Sequence, residues 1–344
     1  MTQQRVLVTG GSGFLAGHCI LQLLRHGYLV RTTVRSVRRE RAVRAVLAEA
    51  GAVHDEALSF AEADLTSDAG WAEAVAGCDF VLHVASPVRP GPVADEDDLI
   101  VPAREGAVRV LRAARDAGVR RVVLTSAFHA VGWGHPRTGR TFTEQDWTVL
   151  DGPGVDAYGR SKTLAERAAW DFIATGGGAT ELVTMLPVAV VGPVLGEAIS
   201  GPNHIIKRVL DGALRGFPDQ WIPFVDVRDV AAAHVAAMTS PDAAGERFLL
   251  AGDPPISLAQ VGAVLREHLG DAARHVPRHR IPSGLLRFAA VFSPGLRPAL
   301  ADLGYARQAS GEKARRVLGW RARGAEEAIV AAAESLVAKS LVKP

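Results

Sequence analysis

The sequence predicts an α/β fold: a doubly wound parallel sheet with a smaller C-terminal α+β lobe. Three observations predict it. Short apolar runs alternate with helix-patterned segments repeatedly up to Ser126, the arrangement that builds a parallel sheet with right-handed crossovers. The first run breaks into the turn Gly10-Gly11-Ser12-Gly13 and then a helix, as a phosphate cradle does. The chain's 344 residues exceed the usual single domain, so one large core with an appended lobe, or two domains, is expected. The 39 basic and 37 acidic residues leave a net charge of +2, which points to neither nucleic acid nor a membrane surface. The apolar window Leu182 to Leu195 is too short, and too broken by Pro187, Gly192 and Pro193, to span a bilayer. Cys19 and Cys78 are the only cysteines, which excludes a disulfide framework and a cysteine metal cluster. With no secretory-type segment before the first strand, a reducing cytoplasm is the expected compartment.

Taken in order, Val6, Leu7 and Val8 form the apolar run of a strand covered on both faces. Gly10, Gly11 and Gly13 leave no Cβ at the turn, so a diphosphate can approach the backbone, and the helix from Gly13 to His26 aims its free N–H groups at it. The second strand, Tyr28 to Arg35, chooses the cofactor. An acid there would serve the ribose hydroxyl of NAD. This chain instead offers Arg35, then Arg38, Arg39, Arg41 and Arg44, with no acid before Glu40, which favours NADP. The third strand, Ala57 to Ala63, ends at Asp64-Leu65; Asp64 serves either an exocyclic amine such as that of adenine or a turn with Thr66 and Ser67. The fourth strand, Phe80 to Ser86, is closed by Pro87 and carries His83 as a hydrogen-bonded core residue. A helix from Leu99 to Gly118 and a fifth strand, Arg121 to Ser126, follow.

The chemistry is placed at Tyr158-Gly-Arg-Ser-Lys162. In a helix opening near Tyr158 and running to about Thr175, Lys162 lies one turn later on the same face. The ammonium is expected to bring the phenol down toward the working pH, so that Tyr158 can protonate an alkoxide as hydride arrives. The stretch from Phe128 to Asp156 is loop-like and lies beside Tyr158, so its Trp133 and His135 serve either as a wall of the substrate pocket or as surface packing of a long loop. After the sixth strand, residues 192–223 leave the sheet with a helix near His204 to Leu214. The chain returns at Phe224, where Asp226 and Asp229 cap and start a helix reaching Met238. Arg247 to Ala251 reads as a strand, and helices follow from Ser257. The expected division is 1–191 plus 224–240 for the cofactor domain and 192–223 plus 241–344 for the substrate lobe. His275 and His279 are loop residues, because Pro277 between them spoils a helical metal site.

With these residues in place the chain resembles the extended short-chain dehydrogenase/reductases, near the dihydroflavonol and cinnamoyl-CoA reductase group. The matching stretches are Val8 to Ala16, Val30 to Arg35, Ala63 to Leu65, His83 to Pro87, Arg121 to Ser126, Tyr158 to Glu166 and Val225 to Ala231. The resemblance implies a Rossmann domain binding NADP(H) and reduction of an aldehyde or ketone. Tyr158 would be the proton donor, and Lys162 would hold the nicotinamide ribose. Gly10, Ser12, Gly13, Phe14, Leu15, Arg35, Asp64, Leu65, Val84, Ala85, Ser86 and Thr125 would line the cofactor, with Pro187 and Val190 flanking the nicotinamide. One position departs: where the family has a second serine after the fifth strand's threonine, this chain has Ala127. Loss of such a donor costs about 3 to 4 kcal/mol of transition-state stabilisation unless it is replaced. Ser126, which would then be the third catalytic residue, His129 and a bound water are the candidates to replace it. A sugar-nucleotide epimerase or dehydratase and a non-catalytic NADP-binding regulator are the other functions this pattern allows. A homodimer through the helices near 99–118 and 156–175 is a further implication of the resemblance.

Overall fold

The computed structural model describes residues 3–52, 55–87, 95–292, 300 and 302–343. Five strands come first: β1 (Arg5–Val8), β2 (Leu29–Val34), β3 (Leu58–Glu62), β4 (Phe80–His83) and β5 (Arg121–Thr125). Helices α1 (Phe14–Arg25), α2 (Glu40–Glu49), α3 (Trp71–Val75) and α4 (Asp97–Asp116) connect them. After the short strand β6 (Thr141–Phe142) come α5 (Ala157–Gly176), β7 (Glu181–Pro187), β8 (Ala189–Val191) and α6 (Asn203–Leu210). Then follow β9 (Trp221–Ile222), β10 (Phe224–Asp226), α7 (Val227–Thr239), β11 (Arg247–Leu250), β12 (Ile256–Ser257), α8 (Leu258–Leu269), α9 (Ser283–Phe292) and β13 (Gln308–Ala309). Helices Glu312–Leu318 and Ala325–Ala338 complete the chain.

The main sheet has seven strands in the order β11-β7-β5-β4-β1-β2-β3, all parallel. Alternation along each strand divides two cores. Val6, Val8, Leu82 and Val123 pack on one face of the sheet with residues of α1 and α7, while Leu7, Val81, Val122 and Leu124 pack on the other with residues of α3 and α4. The chain winds outward in both directions from β1, so the crevice between the carboxyl ends of β1 and β4 is the switch point where an α/β sheet receives its ligand.

The structure departs from the expected division at β11. This strand joins the main sheet as an edge, Arg247 opposite Thr184, and Phe248, Leu249 and Leu250 are fully buried in the sheet's own core. Three consecutive apolar residues covered on both faces belong to the sheet's own core, whatever precedes them in the chain. The second core gathers Val191, Ile206, Phe217, Phe224, Val261, Ile329 and Leu336 from α6, α8, the C-terminal helix and the segments between them. Helix α6 ends at Leu210, before Gly212 at φ +65°, and not at Leu214. The stretch after β5 is loop apart from a short turn at Phe128–Ala130 and β6, which pairs in parallel with β13.

Candidate active site

At the glycine turn, Gly10 has φ +76°, and its N–H donates to Thr33 Oγ1 at 2.9 Å. A Cβ on Gly11 would lie 2.3 Å from Thr32 Oγ1, and one on Gly13 would lie 3.0 Å from the Gly10 carbonyl. The close fold of this turn therefore excludes side chains. The Gly13 N–H closes the turn on the Gly10 carbonyl at 2.8 Å, and helix α1 begins at Phe14 with no side-chain cap and no acid in its first turn, so the N–H groups of Phe14 and Leu15 remain available to an anion. The residues fit a dinucleotide diphosphate. Ser12 sits on this turn, and Arg35 is exposed just past β2.

Asp64 is engaged locally. Its Oδ1 accepts from the N–H of Thr66 at 2.8 Å and from its hydroxyl at 2.7 Å, and these bonds hold the carboxyl below its usual pKa. The acid nearest the end of β2 is Glu62, whose Oε2 accepts the N–H of Val37 at 3.0 Å. Leu65 packs against α4, where a Cβ at Gly106 would come within 3.0 Å of it.

Thr9 ties β1 to the end of β4. Its Oγ1 accepts the N–H groups of Val84 at 3.0 Å and Ala85 at 2.9 Å, which leaves its proton for His83 Nδ1 at 2.9 Å. His83 is thus the core histidine the sequence predicts, and burial pushes its pKa down to about 3. Beside it a cavity opens at the carboxyl edge, lined among others by Leu65, Ala85, Ser86, Thr125, Ser126 and Lys162. Six residues chosen from the sequence meet there.

The hydroxyls at the end of β5 are already committed. Thr125 Oγ1 donates to His234 Nε2 at 2.8 Å, since the other ring nitrogen is held by the Val230 carbonyl. Ser126 points to the opposite face, as strand parity predicts, and donates to Glu166 Oε2 at 2.7 Å. Ala127 is buried and offers no donor.

Helix α5 starts on Asp156, whose side chain accepts the N–H of Gly159 at 2.8 Å. That cap fixes Tyr158 in the first turn and Lys162 in the second. Lys162 Nζ lies 6.0 Å from the Tyr158 ring centre and donates to the Thr125 carbonyl at 3.3 Å; burial lowers its pKa to about 8. The phenol does not move as the spacing predicts. Burial, then the charge of Asp156, raises Tyr158 to about 12, so without cofactor desolvation outweighs the ammonium. The proton a donor needs stays on the phenol.

His129 stands beside this phenol. Its ring is 4.9 Å from the Tyr158 ring, edge to face, and stacks on Trp133 at 3.8 Å and 12°. Arg307 lies over the far face of the stack, 4.6 Å from the Trp133 ring. Burial drives the His129 pKa down to about 4. His135 turns into the loop, with Nε2 3.1 Å from the Val131 carbonyl. Pro187 closes β7, and Val190 lies in β8 opposite Val225. His275 and His279 are exposed in the connection between α8 and α9.

The sequence reading missed Glu166, Arg247 and Arg307. Glu166 carried a signal, four residues after Lys162 on the same helix, whereas the two arginines arrive through pairings distant in the chain.

Comparison with known proteins agrees with this geometry. The sequence profile of the NAD dependent epimerase/dehydratase family matches residues 6–251. The chain is similar to cinnamoyl-CoA reductase CAD2 of Medicago truncatula, with 34% identity over 76% of this chain and 80% of that one. It is 36% identical to tetraketide alpha-pyrone reductase 2 of Arabidopsis thaliana, over 70% and 75% of the two chains. Among solved structures it resembles Gre2 of Candida albicans in complex with NADPH, with a TM-score of 0.81, 25% identity and coverage of 98% and 99%. With a wound parallel sheet, a glycine cradle at its switch point and a tyrosine and lysine one turn apart beside it, this chain belongs to the NAD dependent epimerase/dehydratase family, the extended short-chain dehydrogenase/reductases.

Proposed function

We propose that this protein reduces an aldehyde or ketone to the alcohol with NADPH, reversibly. The observation that carries the reading is the Tyr158 and Lys162 pair on α5, set at the same sheet edge as the open first turn of α1. The reductases among its relatives and the NADPH complex of its structural neighbour support it. Bound NADPH would supply the hydride to the carbonyl carbon.

The chain's own residues do the rest. The turn from Gly10 to Leu15 holds the diphosphate, and Arg35 meets the 2′-phosphate. Lys162 holds the nicotinamide ribose and keeps a positive charge near the reacting groups, and Tyr158 gives its phenolic proton to the carbonyl oxygen. A phenol whose pKa lies well above neutrality is fully protonated before the reaction, which suits a donor in the reductive direction. We assign substrate contacts to the lobe around the second core and to the loop carrying Trp133. Among the described residues no helix is long and apolar enough to cross a membrane, and a cytoplasmic protein fits this reading. Pairing of two copies through α4 and α5 is part of it, and a monomeric mass in solution would remove that part.

The test is NADPH oxidation followed at the nicotinamide absorbance with a panel of aromatic and aliphatic aldehydes and ketones. Tyr158→Phe should lower kcat by about a thousandfold while NADPH still binds. Full activity in that variant overturns the reading. NADPH binding by the native protein without oxidation points instead to the non-catalytic regulator, which the apolar Ala127 favours.

A further inference from the structure

A carbonyl oxygen that takes a proton from Tyr158 gathers negative charge as the hydride arrives, and a single donor is a poor match for it. Sites of this kind supply a second, pre-aimed N–H or O–H. The hydroxyls around the phenol are spent on other acceptors. Thr125 donates to His234, Ser126 to Glu166, Thr148 to the His129 carbonyl, Ser161 to the Tyr158 carbonyl and Thr163 to the Gly159 carbonyl. Ala127 has nothing to give. His129 differs from all of them. Its ring touches the Tyr158 ring, it is only partly covered, and among the described residues neither ring nitrogen has a hydrogen-bond partner.

We propose that His129 is a catalytic residue, donating an imidazole N–H to the substrate's carbonyl oxygen in place of the hydroxyl that Ala127 lacks. The assignment rests on the reductase reading above. The ring's placement is over-determined in a way that simple packing does not require. Trp133 covers one face, and Arg307 lies beyond it, itself held by Asp302 at 2.7 Å and by the Gly132 carbonyl at 3.0 Å. The chain after β5 turns at Phe128–Ala130, which lifts residue 129 out of strand register and brings it to the phenol. Burial, helped by the Arg307 cation beyond the stack, outweighs the nearby Asp156 carboxylate and keeps the imidazole neutral, so its N–H donates without changing charge. His129 neither gains nor loses a proton in the step: the hydride forms the C–H bond, and the Tyr158 proton forms the O–H bond.

The experiment compares His129→Gln, whose side-chain amide places an N–H near the imidazole Nε2 position, with His129→Phe, which keeps a ring in the stack and removes the donor. Steady-state kcat and KM, NADPH affinity and thermal midpoint are measured for both, with Tyr158→Phe in parallel. His129→Phe should lose about a hundredfold in kcat with NADPH affinity unchanged, and His129→Gln should stay at least about tenfold above it. Adding Ala127→Ser should restore about tenfold or more to His129→Phe while adding little to the native protein, a non-additivity that a merely structural role for the histidine would not give. Equal kcat in the Gln and Phe variants, or no recovery with Ala127→Ser, overturns the assignment. If Tyr158→Phe abolishes turnover while His129→Phe keeps it, only this inference falls. A native protein that binds NADPH but reduces no carbonyl removes the reductase reading and this inference with it.

Discussion

Lys162 and Glu166 lie one turn apart on α5, both buried, in surroundings that differ in kind. The Glu166 carboxylate accepts from Ser126 at 2.7 Å, from Thr184 and Arg247 Nε at 2.8 Å each and from Trp170 at 3.4 Å. Arg247 also donates to the carbonyls of Glu144 and Asp146 and lies 3.7 Å from the Trp147 ring centre. The Lys162 ammonium has three protons to place and, among the described residues, one acceptor at 3.3 Å. Glu166 is therefore architecture: a charge closed on all sides, fastening β5, β7, β11 and the loop after Phe142 to the helix that carries Tyr158. Lys162 is left short of partners at the wall of a cavity, which lowers stability and leaves bonding capacity for a ligand.

The sharpest way to break this comparison is Arg247→Met. With its cation gone, Glu166 becomes a buried uncompensated charge, and unfolding free energy should fall by about 3 to 5 kcal/mol in urea titrations. Adding Glu166→Met should recover part of that loss, because the pair is then replaced and not broken. A drop below about 1 kcal/mol for Arg247→Met would place the pair with ordinary surface ion pairs and dissolve the contrast.

Lys162→Met should behave in the opposite sense. It removes a poorly satisfied buried cation, so stability should hold or rise, while kcat/KM should fall by about a hundredfold. The pH dependence sharpens the point. The folded-state pKa of Lys162, about 8, lies below the ordinary 10.5, so between these values the unfolded chain binds more protons than the folded one. Stability from this group is thus at its lowest below pH 8, rises through the window from 8 to 10.5, and is fully present above it. Activity that requires the ammonium runs the other way and should fall by about tenfold per unit once the pH passes the lysine's folded pKa. The rise in stability should vanish in Lys162→Met; its persistence would mean that another group titrates there.

The same contrast explains what the sequence could and could not disclose. The apolar run at Val6, the glycines at 10, 11 and 13 and the spacing of Tyr158 and Lys162 are local signals, set by strand alternation, backbone conformation and helical period. They placed the sheet, the cradle and the helix. Parity along β5 even sent Ser126 away from the face of Ala127, and the structure shows the acceptor waiting there, Glu166. Nothing local, however, tells how deeply a phenol is buried, which is why the spacing lowers Tyr158 and the structure raises it. Arg307 reaches Trp133 from a segment whose strand β13 pairs with β6, and Arg247 reaches Glu166 from the sheet's edge strand; neither contact leaves a mark in a short window. Asp64 shows the limit from the other side: a carboxylate two residues before a threonine forms the turn its composition allows, without excluding a further contact from its second oxygen.

Cofactor choice depends on the most exposed part of the site and should give the smallest effect. Arg35 lies open to solvent past β2, with no hydrogen bond among the described residues, while the nearby acid Glu62 is occupied by the Val37 N–H. An arginine with its donors free can take a phosphate in a bidentate grip, but at an exposed position that bond is weakened by water and salt. Arg35→Ala should therefore raise the Kd for NADPH by about tenfold, equivalent to about 1.4 kcal/mol, and leave NADH nearly unchanged. Fluorescence titrations at low and high salt provide the check, and the gap between native and variant should narrow as ionic strength rises. Equal weakening toward both cofactors would show that Arg35 supports the turn rather than the 2′-phosphate. The selectivity would then have to come from the arginines beyond it, beginning with Arg38, which is also exposed.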